Sequence, residues 1–249
     1  MTTETNSLDF TNRLLARHRD SASPLLTWYG QPGERVELSG HVFDNWVAKS
    51  ANLLAEEFDA GPGTRVLVDL PAHWKSLAIG FAVLSTGADL HVAASTGGAD
   101  ASAPAPAAAS PDLVVTGDPM AAAAAFPQAE VLAVALGSLD LSFSGELPPG
   151  ALDYAGEVRG FGDHYLADPV PATGVALGCA DGSGDLSYAD LFGVEAVEGT
   201  TLLGPGAPLG TALRAAVSQW RGSAPLVLLG AGAPVTQRLL DDERVTRRL

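Results

Sequence analysis

The chain has 249 residues, of which 29 are acidic and 14 basic, so its formal net charge is −15. This excess of carboxylates argues against a nucleic-acid-binding protein and against docking on an anionic membrane, because both need clustered lysine and arginine. Hydrophobic residues make up 47% of the chain and charged residues 17%, so the chain can bury a sizeable core and is not disordered as a whole.

The amino-terminal part of the sequence predicts a hairpin followed by a helix. The first segment, residues 8–19, carries apolar and basic side chains at helical spacing. Residues 25–29 and 35–38 flank the turn-rich sequence Gly-Gln-Pro-Gly, which predicts two short strands joined by a tight turn. Beyond Ser39, apolar residues recur three and four positions apart as far as Phe58, which predicts an amphipathic helix.

From residue 65 onward, short apolar runs alternate with single helical segments. The predicted strands are residues 65–70, 88–93, 113–115, 131–134, 173–177, 200–203 and 226–229. The predicted helices are residues 73–86, 121–125, 188–197, 209–220 and 235–248. Strands that alternate with single helices need crossover connections, which implies an α/β fold with largely parallel sheets flanked by helices.

Two stretches interrupt this alternation. Residues 95–110 consist mostly of Ala, Gly, Ser and Pro, which predicts an extended or mobile connector. Residues 142–150 end in Pro-Pro-Gly and form a second break. We predict one domain over residues 1–249, with a subdivision into an amino-terminal half, residues 1–145, and a carboxyl-terminal half, residues 151–249, as the alternative.

Cysteine usage and the amino terminus point to the cytoplasm. Cys179 is the single cysteine, so the chain can form no internal disulfide and offers no cysteine pair for zinc. The first residues include an early acidic residue and lack a basic start followed by an apolar stretch, which excludes an ordinary secretory signal. No run approaches the ~20 apolar residues that cross a bilayer. Frequent Ala, Gly and Arg with little Lys is typical of a GC-rich genome.

A set of scaffold motifs occurs in order between residues 33 and 92. The motifs are Gly33-Glu34-Arg35, Asn52-Leu53-Leu54-Ala55, Gly61-Pro62-Gly63-Thr64-Arg65-Val66, Leu70-Pro71 and Thr86-Gly87-Ala88-Asp89. In order and spacing they resemble the start of the AMP-binding, or adenylate-forming, superfamily, which includes acyl-CoA synthetases. In length the chain is more similar to a narrow group of uncharacterised proteins from high-GC bacteria. The resemblance implies the fold of the amino-terminal subdomains of adenylate-forming enzymes.

The phosphate loop of this superfamily is rich in Ser, Thr and Gly, follows a strand and ends in Lys-Gly. Its backbone N–H groups and its lysine bind phosphate oxygens. The residues at the matching position here are Asp181, Gly182, Ser183, Gly184 and Asp185. The frame of the loop is retained, but no lysine follows Ser183, and the only lysines of the chain are Lys49 and Lys75.

The altered loop offers different chemistry. Two unit charges about 4 Å apart interact by roughly 1 kcal/mol in water and several times more near a protein surface. Repulsion by Asp181 and Asp185 therefore disfavours a triphosphate unless Mg²⁺ intervenes. We expect no cofactor, no metal site and no catalytic residue, with ATP–Mg²⁺ as the less favoured case. The loop residues are a candidate remnant ligand-binding region, and a glycine-rich turn retained only for its tight reversal is the alternative.

Three further side chains are less favoured candidates for a catalytic role. Cys179 adjoins the loop, but its acidic surroundings oppose a reactive thiolate. His73, at the start of a predicted helix, and His164 could each pair with a carboxylate, although a capping or surface role is more frequent. The sequence contains no nucleophile elbow, zinc-protease pair or dinucleotide fingerprint.

Enzymes of the superfamily that activate acids continue well beyond this region, with further nucleotide motifs and another lysine. The resemblance therefore implies a truncated, degenerate relative. We expect a non-catalytic protein, a pseudoenzyme, that binds a protein partner or a small-molecule ligand, but neither nucleic acid nor a membrane. The alternative is a divergent acyl- or AMP-ligase-like enzyme completed by another chain, which predicts an exposed apolar patch. A structural or regulatory module whose acidic surface meets a basic partner is a third interpretation.

Overall fold

The fold is given by a computed structural model that describes residues 7–8, 10–30, 33–93, 110–137, 140–179 and 185–249. In this part of the chain the helices are α1 (Phe10–Leu15), α2 (Gly40–Phe58), α3 (Trp74–Thr86), α4 (Pro119–Ala125), α5 (Tyr154–Glu157), α6 (Tyr188–Gly193), α7 (Leu209–Arg221) and α8 (Gln237–Asp242). No helix among the described residues is long and apolar enough to cross a membrane.

The strands fall into one small and two large sheets. In chain order they are β1 (Ser7–Leu8), β2 (Pro24–Tyr29), β3 (Arg35–Ser39), β4 (Arg65–Asp69), β5 (Asp89–Val92), β6 (Leu113–Thr116), β7 (Glu130–Ala133), β8 (Leu152–Asp153), β9 (Val170–Pro171), β10 (Val175–Cys179), β11 (Leu186–Ser187), β12 (Thr200–Leu203), β13 (Leu226–Leu229) and β14 (Val245–Arg248). Among the described residues, the larger sheet has the order β11-β10-β5-β4-β6-β7-β8, and the second has the order β14-β12-β13-β2-β3.

Parallel pairing dominates both large sheets. In the seven-stranded sheet only β10 and β11 are antiparallel, and in the five-stranded sheet only β2 and β3 are, within the ranges described. The predicted α/β fold with largely parallel sheets is therefore confirmed. Both sheets take strands from either side of the break at residues 142–150. The subdivision at that break stays a prediction.

Helix α3 is the centre of the core, because every residue from Trp74 to Thr86 is buried and the helix contacts strands of both large sheets. Aromatic rings connect it to its neighbours. The ring of Phe81 on α3 lies 5.9 Å from that of Phe43 on α2 and 5.0 Å from that of Trp220 on α7, centroid to centroid. The two sheets therefore share one continuous hydrophobic core.

Local signals place the first long helix where the sequence predicts it. Ser39 caps α2, because its hydroxyl accepts the backbone N–H of Val42 at 3.3 Å. Asp59 ends the helix in a left-handed conformation with φ of 48°. The short polyalanine helix is also confirmed, as α4. The predicted connector at residues 95–110 lies, except for Ser110, outside the described residues.

Three predicted helices are shorter in the structure. The segment 8–19 contains α1 followed by a 3-10 turn at Ala16–His18, and the helix predicted for 188–197 ends at Gly193. The prediction for residues 235–248 is wrong in its second half. Arg244 has a φ of 51°, which ends the helical path, and the last residues form β14. Pairing of β14 with β12 overrides the helical pattern there.

Candidate functional site

The candidate ligand-binding loop, residues 181–185, follows the end of β10, where Cys179 lies beside Val92 of β5. Of the five candidate residues, Asp185 is described and exposed, whereas Asp181, Gly182, Ser183 and Gly184 lie outside the described residues. A Cβ atom placed on Gly178 would lie 2.3 Å from His91 Nδ1 and 3.1 Å from Asp185 Oδ1. The structure therefore brings Asp185 and His91 together over the last residues of β10. Of Cys179, only the backbone, in β10, is described.

Acidic and basic groups gather on this part of the seven-stranded sheet. Loss of hydration raises the pKa of Asp89, and the negative charge of Asp185 adds to this shift, whereas His91 and Arg65 oppose it. Within the described ranges, no group of three or more His, Cys, Asp or Glu side chains could hold a metal ion. The arrangement presents carboxylates close to the loop position.

A close approach at Gly178 gives a stability prediction. Replacing Gly178 by alanine should cost about 1–3 kcal/mol of unfolding free energy, because the new methyl group would overlap the His91 ring. In His91→Ala the overlap disappears, so the same substitution made in that background should cost much less. Urea unfolding of the two single variants and the double variant measures this difference. Equal costs in both backgrounds would show that the His91 ring does not fill this space.

The carboxyl ends of the parallel strands form a second part of the site. The chain runs from β4 to β5 on one side of β4 and then crosses to β6 on its other side. Ligands of open α/β sheets bind at such a switch point, outside the carboxyl ends of the strands. Asp69 ends β4 beside Thr116, and Asp118 follows β6. Loss of hydration raises the pKa of Asp69, and the charge of Asp118 raises it further.

A cluster of buried polar side chains lies at the amino-terminal end of α3, which follows β4. His73 caps the helix: its Nδ1 accepts the backbone N–H of Lys75 at 3.1 Å. The ring of His73 lies 4.3 Å from that of Trp28, at the end of β2, and 5.6 Å from that of Trp74. Burial lowers the pKa of His73 to about 3, so the ring is neutral near pH 7.

The predicted capping role of His73 is thus confirmed, but the residue is buried and does not lie at the surface. The residue is 3% exposed, and its Nε2 has no hydrogen-bond partner among the residues that the structure describes. His164, the other histidine considered, is exposed, and its main-chain carbonyl accepts the side-chain N–H of Asn52 at 2.9 Å. No local signal in the sequence links Trp28 to His73 and Trp74, because only the fold brings Trp28 to them.

The side chains of both lysines donate hydrogen bonds to backbone carbonyls. Lys75 is 3% exposed, and its ammonium donates to the carbonyl oxygens of Ala135 at 2.8 Å and Gly137 at 2.7 Å. Burial lowers the pKa of Lys75, although the charge of Asp140 acts in the opposite direction. Lys49 donates to the carbonyl of Phe161. The lysines therefore hold loops against helices α2 and α3.

A pocket of about 290 Å³ lies between the β2–β3 hairpin and α8. Tyr29, Arg35 and Asp242 contribute to its walls. Beside them, Glu243 accepts hydrogen bonds from the Tyr29 hydroxyl at 2.5 Å and from the Arg35 guanidinium at 2.8 Å. Loss of hydration and the bond to Glu243 raise the pKa of Tyr29. This network connects the hairpin to the carboxyl-terminal helix.

Comparison with known proteins identifies the fold. No protein-family model matches the chain. A curated relative, a TIGR03089 family protein from Mycobacterium tuberculosis (strain ATCC 25618 / H37Rv), is 36% identical over 153 residues, which cover 61% of this chain and 59% of that protein. The chain therefore matches less than two thirds of this relative's length.

Solved structures match almost the whole chain. Brucella canis acyl-CoA synthetase has a TM-score of 0.75 at 15% identity, over 99% of this chain and 48% of that chain. Acetoacetyl-CoA synthetase from Streptomyces lividans has a TM-score of 0.75 at 17% identity, over 97% and 42%. MatB from Rhodopseudomonas palustris has a TM-score of 0.66 at 16% identity, over 97% and 48%. The chain has an α/β fold resembling the amino-terminal region of acyl-CoA synthetases, as the scaffold motifs predict, and it spans about half the length of these enzymes.

Proposed function

We propose that this chain is a non-catalytic cytoplasmic binding protein, a pseudoenzyme on an acyl-CoA synthetase-like scaffold. It holds a small ligand or a partner at the carboxyl ends of its parallel strands. The observation that carries this proposal is the placement of the two lysines, Lys49 and Lys75. Both ammonium groups donate to main-chain carbonyls, so their hydrogen bonds support the scaffold.

The acidic groups near the strand ends support the same proposal. Catalysis of phosphoryl or adenylyl transfer depends on positive charge placed where negative charge develops. Here Asp69, Asp118 and Asp185 lie near the strand ends or next to the loop position. These carboxylates and the absence of a lysine after Lys75 do not fit a triphosphate. These residues therefore do not support a reaction step through ATP.

An exchange assay tests the proposal. We expect no ATP–pyrophosphate exchange above background when the purified chain is incubated with ATP, Mg²⁺ and a panel of carboxylic acids. In calorimetry, Asp185→Asn should bind ATP–Mg²⁺ up to about fivefold more tightly than the wild type, because loss of one nearby carboxylate removes roughly 1 kcal/mol of repulsion. Neither protein should show exchange. Turnover by the wild-type chain alone would overturn the proposal.

A second candidate is a divergent acyl- or AMP-ligase-like enzyme whose active site is completed by another chain. Three exposed apolar side chains favour it, because each follows the carboxyl end of a parallel strand. They are Met120 after β6, Leu141 after β7 and Val235 after β13, with 46%, 70% and 44% of their surface exposed. Such side chains mark a protein interface where they form one contiguous patch. Exchange activity that arises only after a second protein is added would favour this candidate over a non-catalytic role.

A further inference from the structure

A cleft of about 350 Å³ lies beside the edge of the five-stranded sheet, between α7 and β14. One face of α7 forms a wall of the cleft, because Thr211, Arg214, Ala215 and Ser218 follow one another at helical spacing. Arg247 of β14 also lines the cleft. Its volume falls within the range of roughly 300–1,000 Å³ found for small-molecule sites. The cleft has no lining residue in common with the pocket beside the β2–β3 hairpin.

The pairing of β14 with β12 directs Arg247 toward α7. Arg247 is the neighbour of Thr201 in the parallel ladder, and such neighbours point to the same face of a sheet. The hydroxyl of Thr201 lies 2.6 Å from the side-chain amide of Gln219, so α7 covers this face. Thr201 and Gln219 are both 1% exposed and form the floor of the cleft. Arg247 and Arg214 therefore converge on one cleft, from a strand and from a helix.

The guanidinium groups of these two arginines are available to a ligand. Among the residues that the structure describes, neither Arg214 nor Arg247 has a hydrogen bond or an ion pair, and both are exposed. Glu195 and the terminal residue Leu249 also line the cleft, but in the described part of the chain no carboxyl group of theirs forms an ion pair with these arginines. A guanidinium group offers five N–H donors in a planar fork that matches a carboxylate or a phosphate.

The surroundings of the cleft favour an anion that has an apolar part. Residues 209–249 contain six of the 14 basic residues of the chain and only three of its 29 acidic residues. A locally basic surface on an acidic protein attracts anions. Val194, Val197 and Ala215 add apolar side chains to the cleft wall. A ligand that fits the cleft therefore combines an anionic group with an apolar body.

We propose that the cleft between α7 and β14 binds a small organic anion. Its carboxylate or phosphate group accepts hydrogen bonds from Arg214 and Arg247, and its apolar part packs against Val194 and Val197. This second ligand site goes beyond the proposed function, because it lies on the five-stranded sheet and the acidic groups of the first site lie on the seven-stranded sheet.

Nuclear magnetic resonance of the intact chain tests this site. Butyl phosphate and butyrate are the probes, titrated at constant ionic strength, while inorganic phosphate lacks the apolar part and butanol lacks the charge. We expect saturable shifts of the side-chain N–H signals of Arg214 and Arg247 with the probe whose anionic group fits. That probe should bind at least fivefold more tightly than inorganic phosphate or butanol, because the butyl chain also buries apolar surface. The two probes distinguish a phosphate site from a carboxylate site.

Matched variants separate this site from general attraction to the basic end of the chain. Arg214→Gln and Arg247→Gln should each weaken binding at least tenfold, because each removes charge-assisted hydrogen bonds. Arg248→Gln is the control and should change binding less than twofold. Arg248 is the neighbour of Leu202, which packs on the opposite face of the sheet, against α8. Glu195→Gln should tighten binding up to about fivefold, because it removes a negative charge from the cleft wall.

The three arginines are exposed, so their variants should unfold at the same urea concentration as the wild type. Signals that ignore both probes would overturn the proposal. So would an equal loss of binding in Arg248→Gln and Arg247→Gln, because attraction to the basic segment alone predicts that result. Inorganic phosphate that binds as tightly as butyl phosphate would show that the apolar wall takes no part and would overturn the assignment of an organic anion.

Discussion

Replacing Trp220 by alanine is expected to lower the free energy of unfolding by about 3–5 kcal/mol. The side chain is completely buried, and its ring lies 4.9 Å from that of Phe43 and 5.0 Å from that of Phe81. The substitution would leave a large cavity where α7 meets α2 and α3. It would also remove the donor to the buried carbonyl of Leu25. Urea unfolding followed by circular dichroism measures the change.

Two controls separate the causes of this loss. Trp220→Phe keeps most of the ring contacts and loses the N–H, so it should cost about 1–2 kcal/mol, in the range for an unsatisfied buried group. Val42→Ala removes methyl groups from a residue of α2 that is 40% exposed, and it should change stability by less than about 0.5 kcal/mol. A Trp220→Ala protein as stable as Val42→Ala would contradict the central position of Trp220 in the core.

Acidification is expected to destabilise the wild-type chain more steeply than His73→Asn. In the unfolded chain, a histidine takes up a proton near its ordinary pKa of 6.5, whereas in the folded chain burial lowers the pKa of His73 to about 3. Between these values the unfolded state binds more protons, so stability falls as the pH falls. This one group should contribute a slope of up to about 1.4 kcal/mol per pH unit.

The comparison with His73→Asn isolates that slope. Asparagine keeps the cap of α3 but does not titrate in this range. Other shifted groups, such as His18, whose pKa burial lowers, and Asp69, whose pKa burial raises, are present in both proteins and cancel. Urea midpoints measured between pH 7 and pH 4.5 give the two slopes. Parallel slopes would mean that His73 is protonated as easily in the folded chain as in the unfolded one.

The sequence predicts those elements whose signals are local. The helix after Ser39 is predicted because its cap and its apolar stripe are adjacent in the chain. The residues from Val245 onward also have helix-compatible neighbours, but their partner is β12, about 45 residues earlier. No local pattern reveals such a pairing, because its stability comes from bonds between distant strands.

In the candidate site, too, the sequence predicts the features that have local signals and misses those that depend on distant contacts. The loop position of Asp185 follows from a motif, and the capping role of His73 follows from its place before a helix. The contact between His73 and Trp28 depends on the approach of two different sheets, which no spacing in the sequence encodes. The buried state of Lys75 has the same origin, because its carbonyl partners follow β7.

The strand order of the five-stranded sheet, in which β2 lies next to β13, has a consequence for biosynthesis. Strand β2 pairs with β13, so Leu26 lies beside Leu226, about 200 residues later in the chain. During translation the hairpin of β2 and β3 is made about 200 residues before β13, the strand that pairs with β2. Contacts of such long range make folding slow and leave apolar strand surface uncovered in the meantime. We therefore expect chaperones to bind the nascent chain until β13 has been released.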